Sequence, residues 1–235
     1  MIKPISTLFM LISVDGKIST GNSDDLDVDK DFPRIQGIKE GLQQYYDIEQ
    51  TTDIYSLNSG RVLEKVGANN SQEKSVKLPV SFLIIDNQPH LNEIGVDNFI
   101  KKSKKLFIIT TNKSHPAYKR KNEDNLEIIF YENEIDFVDL FRKLKEDFKI
   151  DTLTIQTGAT LNSLFLRHKL IDKISLVVAP ALIGGKETPS LIGGKSLSSV
   201  DELKEIKALK LIEAKKLNDS YLHLQYDVIN ETNID

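Results

Sequence analysis

The sequence predicts an alternating α/β fold, in which a mixed but mainly parallel sheet is flanked by helices and ends in a C-terminal antiparallel hairpin. Short apolar runs rich in Ile, Leu, Val and Phe alternate with segments of helical periodicity. Strands that are separated by helices need crossover connections, which place the strands parallel to one another. The last two apolar runs are separated by Asn218, Asp219 and Ser220, residues that favour a tight turn.

The first strand is predicted at residues 5–12, a continuous apolar run that ends in the turn sequence Ser13-Val14-Asp15-Gly16. A helix is predicted at 33–47, because apolar side chains recur there at helical spacing and Asp31 and Pro33 suit a helix start. The elements predicted next are a strand near 53–57, a short helix at 61–65, a polar loop at 67–77, a strand at 80–85 and a short helix near 96–100.

The second half of the chain alternates in the same way. The clearest amphipathic helix is predicted near 137–148, where apolar side chains stand three or four residues apart. Around it the sequence predicts strands at 106–111, 126–131, 152–156 and 174–179, a surface loop at 112–125, a helix at 161–169 and hairpin strands at 208–215 and 221–229. No linker rich in Gly, Ser or Pro divides the chain, so residues 1–235 are predicted to form one domain.

Composition excludes several classes of function. The chain has 31 Lys and Arg against 35 Asp and Glu, a net charge of −4, so we expect no nucleic-acid partner. It has no Cys, which excludes disulfides, thiolate nucleophiles and Cys-ligated zinc, and its four His lack metal-ligand spacing, so no metal is expected. Without a signal-peptide cleavage pattern or an apolar run of ~18 residues, the sequence predicts a cytoplasmic protein that does not enter membranes.

The glycine turn after the predicted strand at 152–156 is a candidate anion site. The strand ends at Gln156, and Gly158-Ala159-Thr160 leads directly into the next helix. Small residues at such a turn let backbone N–H groups approach a phosphate, and the helix dipole favours negative charge there. A tight strand–helix connection capped by Thr160 explains the same residues, and one glycine turn does not decide between the two interpretations.

The turn Ser13-Val14-Asp15-Gly16-Lys17 is a second candidate. It places a hydroxyl, a carboxylate and an ammonium group at the end of the first strand, where they could orient a polar substrate and exchange a proton. The alternative is a β-turn in which Asp15 bonds its own backbone and Gly16 adopts a positive φ. The sequence also repeats Leu-Ile-Gly-Gly-Lys at 182–186 and 191–195, which is too short to indicate a solenoid.

Four segments occur in an order that resembles one family. They lie at 9–19, 157–162, 170–174 and 179–185. Together they are similar to the reductase domain of riboflavin biosynthesis, which belongs to the dihydrofolate-reductase-like superfamily. The resemblance extends over roughly residues 5–229 and is strongest at the two ends of the chain.

This resemblance implies a homodimeric reductase that uses NADPH to reduce the ribosylamino group of a diaminopyrimidinone phosphate, a small-molecule substrate. It implies Lys17 and Asp15 as catalytic residues, and Ser13, Asp15 and Gln156 as substrate-binding residues. The cofactor contacts that it implies are Ser59, Gly60, Arg61, Thr110, Thr111, Thr157, Gly158, Ala159, Thr160 and Leu161.

The sequence departs from the family pattern at two of these places. Gln156 and Thr157 stand where the family usually has Glu and Gly, and a neutral Gln cannot act as a base. The second cofactor loop is Asn58-Ser59-Gly60-Arg61, without the usual Thr, although Arg61 can bind a phosphate as an ionic fork. Two alternatives therefore stay open. One is a dihydrofolate reductase, although the early Trp expected there is missing, and the other is a nucleotide-binding protein that kept the fold without activity.

Overall fold

The structure, a computed structural model, describes residues 1–71 and 76–234. Part of the predicted loop at 67–77 therefore lies outside the described residues. The described residues form nine strands: β1 Ile5–Ser13, β2 Tyr55–Ser59, β3 Ser81–Ile85, β4 Leu106–Thr110, β5 Leu126–Phe130, β6 Thr152–Gln156, β7 Lys173–Ala179, β8 Ala208–Lys216 and β9 Leu222–Ile229. They also form six α-helices: α1 Val28–Asp31, α2 Gln43–Glu49, α3 Gly60–Lys65, α4 Glu93–Lys102, α5 Phe137–Glu146 and α6 Ala159–Arg167.

The chain divides into two compact units. Unit 1 consists of Met1–Pro4 and Asp53–Thr157, and unit 2 consists of Ile5–Thr52 and the chain from Gly158 onward. The single domain inferred from the sequence stays a prediction. Among the described residues, no helix has both the length and the apolar character needed to cross a membrane.

The strands of unit 1 lie in the order β5-β4-β3-β2-β6, and each neighbouring pair is parallel. Helices cover such sheets on both faces, and every residue of β4 is buried accordingly. The register aligns Ser59 with Ile85 and Ile85 with Ile109. The residues that follow these positions, Gly60, Asp86 and Thr110, therefore lie side by side at the carboxyl edge of the sheet.

Unit 2 contains the order β1-β7-β9-β8. Strand β1 pairs with β7 in parallel, whereas β7–β9 and β8–β9 are antiparallel. The two units thus contain mainly parallel strands, flanking helices and a C-terminal antiparallel hairpin, which confirms the predicted fold class. Most strand boundaries agree with the sequence-based ones to within about two residues, a normal uncertainty at strand and helix ends.

The single helix predicted at 33–47 is wrong. The structure instead has the short helices α1 and α2 and two 3₁₀ turns between them, at Phe32–Arg34 and Lys39–Gly41. Gly37 has a φ of +88°, which no helix accommodates. Gly41 lies so close to the ring of Tyr221 that a Cβ would come within 2.6 Å of it. A tertiary contact and a left-handed residue therefore override the helical spacing of the apolar side chains.

The loop predicted at 112–125 is more ordered than expected. It contains a 3₁₀ turn at Pro116–Arg120, and His115 accepts a hydrogen bond from the backbone of Ala117 at the start of that turn. His115 and Ala117 are both fully buried. The segment is therefore part of the core of unit 1, which also includes Val96 and Phe99 of α4.

Candidate active site

The turn after β1 is built around the Ser13 hydroxyl. This oxygen donates a 2.6 Å hydrogen bond to Asp15 Oδ1 and accepts one of 2.9 Å from the backbone N–H of Lys17. Gly16 has a φ of +74°, as the β-turn interpretation of the sequence required. Ser13 is buried and Asp15 is exposed. The turn therefore presents the Asp15 carboxylate at the surface and holds it through a buried hydroxyl group.

Asp15 binds the loop that follows β7. Its carboxylate accepts hydrogen bonds from the backbone N–H groups of Ile183 at 3.1 Å and Gly184 at 2.6 Å. The bond from Ser13, followed by those from Gly184 and Ile183, lowers the pKa of Asp15 to about 2. The side chain is therefore ionised near neutral pH. A carboxylate has about four acceptor positions, and at least three of those of Asp15 are used within this turn and the loop.

Lys17 binds the same loop from its other end. Its Nζ donates hydrogen bonds to the backbone carbonyls of Gly185 at 2.9 Å and Thr188 at 3.0 Å. The backbones of the turn and the loop are also hydrogen-bonded to each other. The N–H of Ile18 donates to the carbonyl of Pro189, and the N–H of Leu191 donates to the carbonyl of Gly16. The catalytic roles of Lys17 and Asp15 stay predictions. In the structure, both side chains fix the loop at 182–190 through hydrogen bonds to its backbone.

A depression of about 450 Å³ lies beside this loop in unit 2. Its apolar lining comes from two segments of the chain, 32–38 and 180–183. The apolar residues are Phe32, Ile35, Ile38, Pro180, Ala181, Leu182 and Ile183. Leu182 is 80% exposed and Ile35 is 42% exposed, which leaves apolar surface in contact with water. The volume is in the range of small-molecule sites.

The predicted glycine turn forms the start of α6 as expected. Gly158 is the N-cap residue, in an extended conformation with φ −80° and ψ 166°, and no side chain among the described residues caps the helix. The second Leu-Ile-Gly-Gly-Lys segment packs here, because Asn162 Nδ2 donates to the carbonyl of Leu191 and the N–H of Gly193 donates to Ala159. Of the other predicted contacts in this turn, Thr157 is buried and Thr160 is exposed.

Gln156 ends β6 in unit 1 and lies on a row of polar side chains. The Ser56 hydroxyl donates a 2.9 Å hydrogen bond to Gln156 Oε1, and Asn58 Nδ2 donates one of 2.9 Å to Ser56 Oγ. Ser56 and Asn58 are nearly buried, whereas Gln156 is half-buried. The side-chain oxygen of Gln156 is thus oriented by Ser56 of β2.

The other predicted cofactor residues of unit 1 lie on the same carboxyl edge. Ser59 caps α3, Gly60 is buried, and Arg61 is exposed. Two strands further along, the Thr110 hydroxyl is buried and donates a 2.8 Å hydrogen bond to the carbonyl of Asp86, and Thr111 follows at the surface. The structure therefore places the residues at 59–61 and 110–111 at the carboxyl ends of β2 and β4, with β3 between these two strands.

Three further residues lie on this edge that the sequence alone did not single out: Asp86, His90 and His115. Asp86 follows β3 directly, and its carboxylate contacts both imidazoles at 3.1 Å. An Asp immediately after a buried apolar strand was the available signal. Within residues 1–71 and 76–234, no three His, Asp or Glu side chains are grouped as metal ligands, and the absence of a metal stays a prediction.

A family model described as the RibD C-terminal domain matches residues 4–222. A riboflavin biosynthesis protein RibD from Actinobacillus pleuropneumoniae is 27% identical over 96 residues, which cover 41% of this chain and 24% of that protein. The chain thus spans only part of the length of this curated relative.

Solved structures show the same fold. RibD from Acinetobacter baumannii superposes with a TM-score of 0.68 at 15% identity, over 97% of this chain and 59% of that one. The riboflavin biosynthesis reductase Rib7 from Saccharomyces cerevisiae superposes with a TM-score of 0.61 at 15% identity, over 97% of this chain and 91% of that one. Together with the family match over nearly the whole chain, these similarities show that the chain belongs to the RibD C-terminal domain family.

Proposed function

We propose that this chain is an NADPH-dependent reductase that acts on a small heterocyclic or ribosylamino substrate of the riboflavin-pathway type. The observation that carries the proposal is the start of α6, where Gly158 leaves the first turn without a side-chain cap. An uncapped helix start directs backbone N–H groups and the positive end of the helix dipole toward an anion. The family match supports the choice of a dinucleotide as that anion.

The residues of unit 1 fit a phosphate-containing cofactor as well. Gly60 brings its backbone to the sheet edge without a side chain, and Arg61 next to it offers a planar cation for a phosphate. Thr111, directly after β4, supplies a hydroxyl, and the buried Thr110 hydroxyl holds the turn through the carbonyl of Asp86. Bound NADPH would supply the hydride, and these residues would hold and orient the cofactor.

The substrate side of the proposal rests on unit 2. The depression of about 450 Å³ has space for a single ring system, and its apolar lining suits the face of a heterocycle. Asp15 has an exposed, ionised carboxylate beside the same loop, which suits an N–H or O–H group of the substrate. By fixing the loop, Lys17 holds Leu182 and Ile183 in place at the depression.

A second function, NADPH binding without efficient turnover, is favoured by Gln156. A Gln at this strand end cannot accept a proton, and its oxygen is already bonded to Ser56. Lys17 likewise uses two of the three donors of its ammonium group on backbone carbonyls. Both observations support a protein that keeps the binding surfaces of the family and lacks part of its proton chemistry.

We also propose that the chain forms a homodimer through its C-terminal hairpin. All nine residues of β8 are exposed, and β8 is the last strand in its sheet order. Leu209, Leu211 and Ile212 leave apolar surface on this strand, which a second copy would cover. The cytoplasmic location expected from the sequence stays a prediction.

One experiment separates these functions. The protein is titrated with NADPH while nicotinamide fluorescence is followed, and turnover is then measured with the diaminopyrimidinone ribosylamino phosphate. Binding with turnover supports the reductase, and binding without turnover supports the second function. Protein that binds no NADPH contradicts both.

A further inference from the structure

Asp86 has a carboxylate whose hydrogen-bonding capacity is fully used. Its Oδ1 accepts from the backbone N–H of His90 at 3.0 Å and from His90 Nδ1 at 3.1 Å. Its Oδ2 accepts from the backbone N–H of Leu91 at 3.0 Å and from His115 Nε2 at 3.1 Å. Four bonds fill the acceptor positions of a carboxylate, so Asp86 has none left for a ligand and can act only through the residues that it contacts.

The bond from His115 has a defined direction. His115 Nδ1 accepts a hydrogen bond of 3.1 Å from the backbone N–H of Ala117, so the ring proton resides on Nε2 and is donated to Asp86. The side chains of Asp86 and His115 are both 0% exposed. Burial raises the pKa of Asp86, but the hydrogen bonds from His115, Leu91 and His90 outweigh it, and the pKa lies below its usual value.

This buried carboxylate adjoins both loops of unit 1 that are proposed to contact the cofactor. A Cβ on Gly60 would lie 2.3 Å from the carboxyl carbon of Asp86, so the carboxylate occupies the space that a side chain at position 60 would need. On the other side, the hydroxyl of Thr110 donates to the backbone carbonyl of Asp86 at 2.8 Å. The backbone N–H of Thr111 donates to Asn87, the next residue.

We propose that Asp86 is the positioning residue for the cofactor surface of unit 1, and that it sets the backbone of the turns at 59–61 and 110–111 for a dinucleotide phosphate. His115 supports it from the core, and neither residue contacts the ligand. The proposal rests on the proposed NADPH binding and adds the residues that determine its affinity.

The first test compares three variants with the wild type. Asp86→Asn keeps the shape of the side chain, but it replaces one of the two acceptor oxygens with an NH2 group that faces other N–H donors. We therefore expect NADPH affinity to fall at least tenfold. His115→Gln keeps a donor near the position of Nε2, whereas His115→Asn keeps an acceptor near Nδ1. We therefore expect His115→Gln to bind NADPH within about threefold of wild type and His115→Asn to bind like Asp86→Asn. Equal affinities in all four proteins would overturn the proposal.

The second test does not depend on NADPH. Gly60→Ala forces a Cβ against the Asp86 carboxylate, so it should lower the melting temperature in wild-type protein by several degrees. In an Asp86→Ala background the space is open, and the same substitution should have less than half that effect. Equal effects in both backgrounds would show that positions 60 and 86 are not coupled. Coupling in a protein that binds no NADPH would instead overturn only the cofactor part of the proposal.

Discussion

The hydroxyl of Ser56 on β2 donates a 2.9 Å hydrogen bond to the side-chain oxygen of Gln156 at the end of β6. The bond orients an amide at the position where the resemblance to the family implies a carboxylate. A carboxylate at position 156 could accept the same bond, since both groups offer an oxygen there. The pair therefore accommodates either residue, and the difference between them is charge.

Gln156→Glu should raise turnover of the ribosylamino pyrimidinone phosphate at least tenfold, with NADPH affinity within about twofold of wild type. A carboxylate can accept a proton and stabilise positive charge, which an amide does not. Steady-state rates of the two proteins at saturating NADPH measure the effect. Gln156→Met controls for shape and should not raise the rate. Efficient wild-type turnover that Glu fails to improve would show that the charge is dispensable.

Gly158→Asp should weaken NADPH binding at least tenfold while leaving the melting temperature equal or higher. The φ and ψ of Gly158 are open to any residue, and Asp is a favoured N-cap. Its charge would lie against the cofactor phosphates. Gly158→Asn is a neutral control of the same size and should lose less affinity than Asp. Fluorescence titrations and thermal melts give both readouts, and unchanged affinity in the Asp variant contradicts a phosphate site at α6.

Lys17→Met should loosen the loop at 182–190, because the bonds from Nζ to the carbonyls of Gly185 and Thr188 are lost. Hydrogen exchange of the loop amides, followed by mass spectrometry, should become at least tenfold faster, while exchange in β7 stays the same. We also expect kcat to fall more than NADPH affinity. Lys17→Arg should retain most of the protection. A loop that exchanges at the wild-type rate in Lys17→Met would contradict the anchoring role.

Because of Asp15, the free energy of unfolding should decrease as the pH is lowered in the acid range. Its folded-state pKa of about 2 lies below the value of ~3.9 expected in the unfolded chain. Its stabilising contribution is therefore present above pH ~4 and is lost as the pH falls toward 2. Urea unfolding of wild type and Asp15→Asn at several pH values between 2 and 6 should show a difference that shrinks with acidification. A difference that stays constant over this range would show that the ionised carboxylate is not what stabilises the loop.

The protein should sediment as a homodimer of twice 26.6 kDa at micromolar concentration. Leu211→Lys should shift it toward the monomer, because the substitution puts a charge on the exposed apolar surface of β8. Val200→Lys, at another exposed apolar residue outside the hairpin, should leave the dimer intact. Sedimentation velocity distinguishes these species, and a wild-type monomer refutes the proposed interface.

The architecture could be predicted because most of its signals are local. Apolar runs separated by turn residues gave the positions of the strands, and the turn at 218–220 was enough to predict the hairpin. The break in the segment at 33–47 could not be predicted from the apolar spacing alone, because one of its two causes, beside the left-handed Gly37, lies far away in the chain. The Tyr221 hydroxyl donates a 2.7 Å hydrogen bond to the carbonyl of Ile38, and its ring packs on Gly41.

The candidate site was predictable only in part for the same reason. The positions of Ser13, Asp15 and Gly158 at strand and helix ends follow from local sequence. The partners of Lys17 do not, because Gly185 and Thr188 are about 170 residues away and are recognised through backbone carbonyls, which carry no sequence signal. Asp86 was missed because His115, which donates to its carboxylate, lies 29 residues further along the chain.

The two Leu-Ile-Gly-Gly-Lys segments have the same sequence but make different contacts. Asp15 binds the backbone of the first, and the second packs on the start of α6. Deletion of the nine residues from the start of the first copy to the start of the second would leave a single copy, with every other residue unchanged. One copy cannot occupy both places, so this deletion would detach either the turn after β1 or the first turn of α6. A sequence comparison would score that variant as almost intact, although it would lack one of the two anchored surfaces.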